Sequence, residues 1–451
     1  MQHTTFPDAL PVQGPLKQRR RTTTQKGLLL KTAALVFLTI AAGMLAILLI
    51  LNLGIGNKEI DKPLKRLYPV NSPEFERVMG LVLSPNLVGG NHAKALINGV
   101  EIFPAMLQSI ASAQKTITLE SYIYWSGDIG KQFADALVER AQNGVQVKVL
   151  LDWFGSKLDE SLLERMRDNG IDIQRYNPPT WYNLHQMNHR THRRLMVVDG
   201  KTGFAGGAGL GDKWSGNAQD PAHWRDTHFQ VEGPVVAQMQ SAFIDNWVQA
   251  TGEMLHHADY LPPLEPKGQG KAHLFTSSPG GGSKSMQLMY LMALTSAATS
   301  IDLSAAYFIP GEVALATLVQ ALERGVRVRI IVPGPYMDNG VVRRASRAKW
   351  GPLLRAGAEL YEYQPTMFHC KVMVVDGLWV SVGSTNFDSR SLSINAEANL
   401  NLHDADFASA QTAIFEKDLG QSRRVTLDEW LARPWWSQAL DSAATLLDAQ
   451  L

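Results

Sequence analysis

The stretch "HCKVMVVDGLWVSVGSTN", His369 to Asn386, decides how this chain is read. Its polar residues stand at fixed intervals, His369, Lys371, Asp376, Gly383, Ser384 and Asn386, around an apolar strand-like run. A close copy, "HRRLMVVDGKTGFAGGAG", runs from His192 to Gly209. Residues two apart on a strand share a face, so His369 and Lys371 point the same way. Histidine is the side chain suited to attack or proton transfer near neutral pH, and its neutral imidazole can attack phosphorus and hold it covalently. A lysine on the same face neutralises non-bridging oxygens as charge builds in the transition state. Such chemistry needs one imidazole to attack and one to protonate the leaving oxygen. Each repeat supplies one, so the duplication predicts a single shared site.

The repeat extends beyond these motifs. "ALVERAQNGVQVKVLLD" (Ala136 to Asp152) aligns with "TLVQALERGVRVRIIVP" (Thr317 to Pro333), each a helix ending near Gly144 or Gly325 and followed by a strand. Strand-like runs, "KTITLESYIY" and "TSIDLSAAYF", precede them. "LLERMRDNGIDIQRY" and "PLLRAGAELYEY" follow, each a helix and a strand. Alternating strands and helices predict an α/β fold, two domains of mixed or parallel sheet covered by helices and packed about a pseudo-twofold axis. The expected divisions are a polar tail over 1–27, an anchor over 28–53, a connector over 54–90, and domains over 91–258 and 272–451. A Pro- and Gly-rich linker spans 259–271.

The chain has 451 residues and a net charge of +1, which gives no global basic field and no support for nucleic-acid binding. Thr32 to Leu51 is uncharged and about the ~20 residues that span a bilayer, and "KQRRR" precedes it. This predicts an uncleaved single-pass transmembrane anchor at a bacterial inner membrane, with the catalytic domains on the non-cytoplasmic side. The one cysteine, Cys370, excludes an internal disulfide. It alternates with His369 and Lys371, so its side chain is expected on the opposite face from theirs, as a small packing residue rather than a nucleophile.

A chance match to six fixed residues in such a chain is on the order of 1 in 100,000. The second motif resembles the HxK(x)4D(x)6GSxN signature of the phospholipase D superfamily. With "AAYFIP" (Ala305 to Pro310) and "GSTNFDSRSLSINAE" (Gly383 to Glu397), the chain is similar to the cardiolipin-synthase branch over roughly residues 90 to 436. The resemblance implies two tandem PLD-like α/β/α sandwich domains and phosphodiester transfer through a phosphohistidine, with no metal or other cofactor. Phospholipids, phosphatidylglycerol first, are the implied substrates and the membrane the implied partner; oligomeric state is not specified. His192 is the implied nucleophile and His369 the acid, then base. Lys371 and Arg194 would grip phosphate, with Ser384, Asn386 and the position of Gly207 binding substrate. Glu397 and Asp226, shortly after the motifs, are implied as carboxylates that orient the histidines. Asp199 and Asp376 are expected to stabilise loops.

The first motif departs from the signature: lysine becomes Arg194, serine becomes Gly207 and asparagine becomes Gly209. A working, altered site and a decayed half are the two readings, and survival of both histidines and both cations favours the first. The same signature serves hydrolysis of phospholipids or of nucleic acid, and a non-catalytic lipid-binding descendant is the reading from another class. His185, His189 and His192 at i, i+4 and i+7 suit zinc on a helix, but His192 leads into a strand, so no metal site is expected. Tyr307, Phe308 and Trp125 are expected at an entrance or in the core. "WLARPWW" (Trp430 to Trp436), with Leu440, Ala444, Leu447 and Leu451, suggests an amphipathic tail, either at a membrane interface or capping the second domain.

Overall fold

Valine, leucine and methionine in the runs that follow the two histidines, with valine the commonest, fit a pleated, buried surface, and both runs are strands. The computed structural model describes residues 23–52, 60–179, 188–278 and 285–447. Residues 1–56 and 57–451 form separate units. In the first, α1 (Thr23–Asn52) starts inside the segment expected to be a polar tail. Among the described residues no helix is long and apolar enough to cross a membrane. The side chains of α1 are described for residues 30–44 alone, so the anchor expected over 28–53 lies partly outside them. Within that window Leu35, Phe37, Leu38 and Ile40 are exposed.

The second unit opens with α2 (Pro73–Leu83), inside the segment expected to be a connector. Ser72 caps it, accepting from the Phe75 amide at 3.1 Å, and Pro73 supplies a preset first turn. Phe75, Met79 and Leu83 then bury against the second half.

The first half runs β1 (Val88–Ile97), α3 (Asn98–Ser112), β2 (Thr116–Ser121), α4 (Asp128–Gln142), β3 (Gln146–Asp152), α5 (Glu160–Asp168), β4 (Asp172–Tyr176), β5 (Arg194–Val198), β6 (Thr202–Gly206), β7 (Thr227–Glu232) and α6 (Val236–Thr251). The second runs β8 (Gly270–Ser277), α7 (Ser285–Ser296), β9 (Ser300–Ala305), α8 (Glu312–Glu323), β10 (Arg327–Pro333), α9 (Gly340–Arg355), β11 (Glu359–Tyr363), β12 (Lys371–Val375), β13 (Trp379–Gly383), α10 (Ser389–Ser393), β14 (Glu397–His403), α11 (Ala405–Leu419), β15 (Ser422–Val425), α12 (Leu427–Leu431) and α13 (Trp435–Ala444). Gly144 and Gly325, at φ +85° and +87°, end α4 and α8 in equivalent left-handed turns.

The duplication is written into the sheet order. From the centre outward the first half reads β1-β7-β6-β5-β2-β3-β4 and the second β8-β14-β13-β12-β9-β10-β11, with β15 on the outer edge. The halves join through antiparallel β1 and β8, making one mixed sheet of fifteen strands. β2-β3-β4 and β9-β10-β11 pair in parallel, and β5 and β12 run antiparallel to them. One apolar cluster draws on both halves, with Val197, Phe229 and Val231 against Val374, Val380 and Leu400. This shared core brings the two motif-bearing strands into one body.

Asp199 and Asp376 hold equivalent corners, both at φ +51°. Asp199 accepts from the amides of Gln114, Lys115 and Thr116, and Asp376 from those of Ala298, Thr299 and Ser300. Each carboxylate ties the hairpin after its histidine strand to the start of the neighbouring parallel strand.

Candidate active site

Each histidine sits two residues before its strand, and each cation is that strand's first residue. The backbone around them crosses between halves. The His192 amide donates to the Ala396 carbonyl and the Ala396 amide to the Arg190 carbonyl, both at 2.8 Å. On the other side the His369 amide donates to the Arg225 carbonyl at 2.8 Å, and the Arg225 amide to the Met367 carbonyl at 3.0 Å. The carboxylate after each motif is therefore carried to the histidine of the opposite half. His192 Nδ1 lies 2.9 and 3.0 Å from the two oxygens of Glu397, and His369 Nδ1 lies 2.7 Å from Asp226 Oδ2. Nδ1–H donating to a carboxylate fixes the tautomer and leaves Nε2 unprotonated, with its lone pair turned to the cavity side, on both rings.

The two rings line one cavity of about 350 Å³. Arg194 Nη2 is 3.0 Å from His192 Nε2, and Arg194 Nη1 donates to the His192 carbonyl at 3.0 Å. Lys371 Nζ is 3.2 Å from both ring nitrogens of His369 and donates to the His369 carbonyl at 2.8 Å. Both cations thus face the imidazoles within hydrogen-bond reach.

Burial, with Arg194 next in weight, lowers His192 to about 4; burial and then Lys371 lower His369 to about 3. Both rings are therefore neutral at pH 7. Burial also brings Lys371 down to about 8. Burial pushes Asp226 and Glu397 up, but the histidine each carboxylate touches outweighs it with the other donors, and both stay ionised below their usual range. At Asp388, also on the cavity wall, burial outweighs the Ser391 amide and the Arg390 and Lys371 charges and raises it to about 7.

The altered first motif is explained by its neighbours. In the second half Ser384 Oγ donates to Glu397 Oε2 at 2.6 Å, so the hydroxyl expected to bind substrate is directed at the orienting carboxylate instead. At the equivalent Gly207 a Cβ would fall 2.8 Å from Asp226 Oδ2, because the shorter aspartate brings its carboxylate closer to this strand. Trp214 takes over the role of the missing hydroxyl, its Nε1 donating to Asp226 Oδ2 at 2.9 Å. A Cβ at Gly209 would lie 2.8 Å from Ile123 Cβ and 3.2 Å from the Trp214 ring, so Ile123 first and the indole second fill the space an asparagine would need. Trp214 and Trp224 flank His369 with ring centroids at 5.3 and 5.4 Å, and Tyr122 meets His192 edge-on at 4.9 Å.

Asn386, Tyr307 and Trp125 line the cavity, whereas Phe308 is buried in the core against Phe387. Cys370 is buried, 3.7 Å from Thr227 Oγ1, and burial pushes its thiol up to about 12. Among the described residues no group of three or more His, Cys, Asp or Glu is placed to hold a metal, and His185 lies outside them. Sequence reasoning missed Trp214, Tyr122, Arg190, Lys213, Asp388 and Arg390. Arg390 and Lys213 carried a signal, standing four residues after the equivalent Asn386 and Gly209.

α13 docks on α9 through Asp441, which is buried and ion-paired to Arg347 at 2.8 Å. Trp435, Trp436, Leu440 and Leu447 remain exposed, Ala444 is buried, and Leu451 lies outside the described residues. The tail is therefore a capping element that also presents an apolar outer face.

The family model described as "Cardiolipin synthase, PLD-like domain" matches residues 106–247 and 290–419. A cardiolipin synthase of Alkalihalophilus pseudofirmus is 34% identical over 365 residues, covering 80% of this chain and 72% of that protein. Cardiolipin synthase A of Pseudomonas syringae is 36% identical over 349 residues, 76% of this chain and 71% of the relative. The major cardiolipin synthase of Bacillus subtilis is 34% identical over 364 residues, 79% and 75% of the two chains. A crystal structure of phosphatidylserine synthase from Haemophilus influenzae shares the fold at a TM-score of 0.64 and 15% identity, covering 84% of this chain and all of that one. Two interlocked halves, two carboxylate-anchored histidines and relatives of this similarity place the chain in the cardiolipin synthase family of PLD-like proteins.

Proposed function

We propose that the chain transfers a phosphatidyl group from one phosphatidylglycerol to the hydroxyl of a second and releases glycerol. The observation that carries this is two imidazoles lining one cavity, each with Nδ1 held by a carboxylate from the opposite half and with a cation at Nε2. Nε2 of one ring attacks phosphorus, and the bond from phosphorus to the glycerol oxygen breaks. The other ring, protonated, gives its proton to that oxygen. The acceptor hydroxyl then returns a proton to this ring as its oxygen bonds to phosphorus and the phosphorus–nitrogen bond breaks. Arg194 and Lys371 neutralise the non-bridging oxygens through both steps.

The low values suit the attacking ring. The acid must be an imidazolium, and the bound phosphate makes it one. Its negative charge offsets the two cations that, with burial, keep His192 and His369 deprotonated. Both rings have the same tautomer, a carboxylate at Nδ1 and a cation alongside, so these contacts alone leave either competent for either role.

We further propose that α1 anchors the chain in a bacterial inner membrane, where both substrates reside. The exposed Leu35, Phe37, Leu38 and Ile40, together with the uncharged run from Thr32 to Leu51, support this, and the basic "KQRRR" before it favours a cytoplasmic N-terminus. Lipid extracts from cells overexpressing the chain test the reading. More cardiolipin is expected; more phosphatidic acid without cardiolipin would make it a phospholipase, and cleavage of DNA without magnesium a nuclease.

A further inference from the structure

The duplication is broken around the cavity, and the break is in charge. Two residues before the histidines stand Arg190 in the first half and Met367 in the second; four residues after Gly209 and Asn386 stand Lys213 and Arg390. Arg190 lies on the His192 side, its guanidinium 4.7 and 4.1 Å from the rings of Trp153 and Phe154. It makes no ion pair among the described residues, and its Nη1 is buried with no hydrogen-bond partner. Asp152, whose charge acts on it without an ion-pair contact, is engaged by the backbone amides of Phe154, Gly155 and Thr191. Arg390 is held on the same side, Nη2 donating to the carbonyl of Asn188 at 3.1 Å and to its side-chain oxygen at 2.7 Å. Both arginines line the cavity.

The His369 side is aromatic instead. Lys213 lies over Trp224 at 4.9 Å and Trp125 at 5.9 Å, and Met367 is buried. Two guanidiniums with fixed stems, one carrying a buried and unpartnered donor, make a site for a phosphate oxyanion; an ammonium packed between indoles is a poorer one.

We propose that Arg190 and Arg390 form a second phosphate subsite that holds the phosphate of the acceptor phospholipid. This rests on the transferase reading above. In-line displacement puts the acceptor hydroxyl where glycerol left, beside the histidine that moves protons and opposite the one bound to phosphorus. The acceptor's own phosphate lies three carbons beyond that hydroxyl, on the same side. A phosphate against Arg190 and Arg390 therefore makes His192 the proton carrier and His369 the group that bears the phosphatidyl, the reverse of what the family resemblance implied. In the second step the hydroxyl proton passes to His192 Nε2, the new phosphorus–oxygen bond forms, and the bond to His369 Nε2 breaks.

The test compares two acceptors with the full chain in phosphatidylglycerol vesicles. One is phosphatidylglycerol itself, read as cardiolipin. The other is labelled glycerol, which carries no phosphate, read as label exchanged into phosphatidylglycerol. Arg190→Gln and Arg390→Gln should each lower the ratio of cardiolipin formation to glycerol exchange about 10- to 100-fold, the size of a lost charge-assisted hydrogen bond. Arg→Lys at either position should recover part of it. An unchanged ratio overturns the subsite, whether or not the separate rates fall. A covalent phosphatidyl group should accumulate on His369 in the His192→Ala chain; finding it on His192 in the His369→Ala chain overturns the assignment. Phosphatidic acid alone from the wild-type chain overturns the transferase reading and the subsite with it.

Discussion

Replacing Trp214 by phenylalanine removes one hydrogen bond and keeps most of a buried ring. The indole donates to Asp226 Oδ2 at 2.9 Å, and the same oxygen receives His369 Nδ1 at 2.7 Å. Hydrogen bonds to charged groups contribute roughly 1.5–3 kcal/mol. If the transition state, in which the His369 ring gains positive character, feels the whole of it, kcat falls about 10- to 100-fold at ~1.4 kcal/mol per decade. The carboxylate also loses a donor to its charged form, so Asp226 rises and the acid limb of the pH–rate profile moves up. Lipid mass spectrometry of initial rates against pH, with denaturant unfolding run in parallel, separates this from loss of fold. Serine at 207, which the second half carries at the equivalent 384, should not rescue the variant. Its Cβ would lie 2.8 Å from Asp226 Oδ2 and displace the carboxylate, so Gly207→Ser is expected to lower activity further. A folded Trp214→Phe chain within about twofold of wild type, with an unmoved acid limb, would refute the assignment of Trp214 as the substitute for the missing hydroxyl.

Lys371, lowered to about 8 by burial, should lose its charge on the alkaline side, and Lys371→Arg should move that limb of the rate profile upward wherever it retains turnover. His192 and His369 sit at about 4 and 3, below the ordinary value near 6.5, so the unfolded chain takes up protons first as pH falls. Their contribution to stability is present above about pH 6.5 and is lost towards pH 4 and below; urea midpoints should fall over that window, less steeply in a His192→Gln, His369→Gln chain. Cys370→Ser should leave turnover within about threefold, measured as cardiolipin formed, because the thiol lies in the core on Thr227 and away from the cavity.

The strands and their duplication were legible because period-two apolar runs and β-branched residues register locally. The histidines and their cations were legible because their spacing is the same in both halves, whereas Glu397 and Asp226, 28 and 34 residues after their histidines, were named only through the family resemblance. What could not be read is what depends on the two halves meeting. The exchange of Glu397 and Asp226 between histidines is set by backbone bonds from His192 to Ala396 and from His369 to Arg225, nearly a whole domain apart in sequence. The replacement of a serine hydroxyl by the Trp214 indole links a loop residue to a strand glycine that a motif comparison scores as a loss. The helix α2 was hidden because only eleven residues separate a proline-rich entry from its end.

The most direct measurement is the product balance of purified protein in vesicles of phosphatidylglycerol alone. One glycerol should be released for each cardiolipin formed, and multiple-turnover formation of both should be lost in His192→Ala and in His369→Ala, each of which leaves one half's motif intact. Cardiolipin formed at the wild-type rate by either single variant would contradict a site built jointly by the two halves.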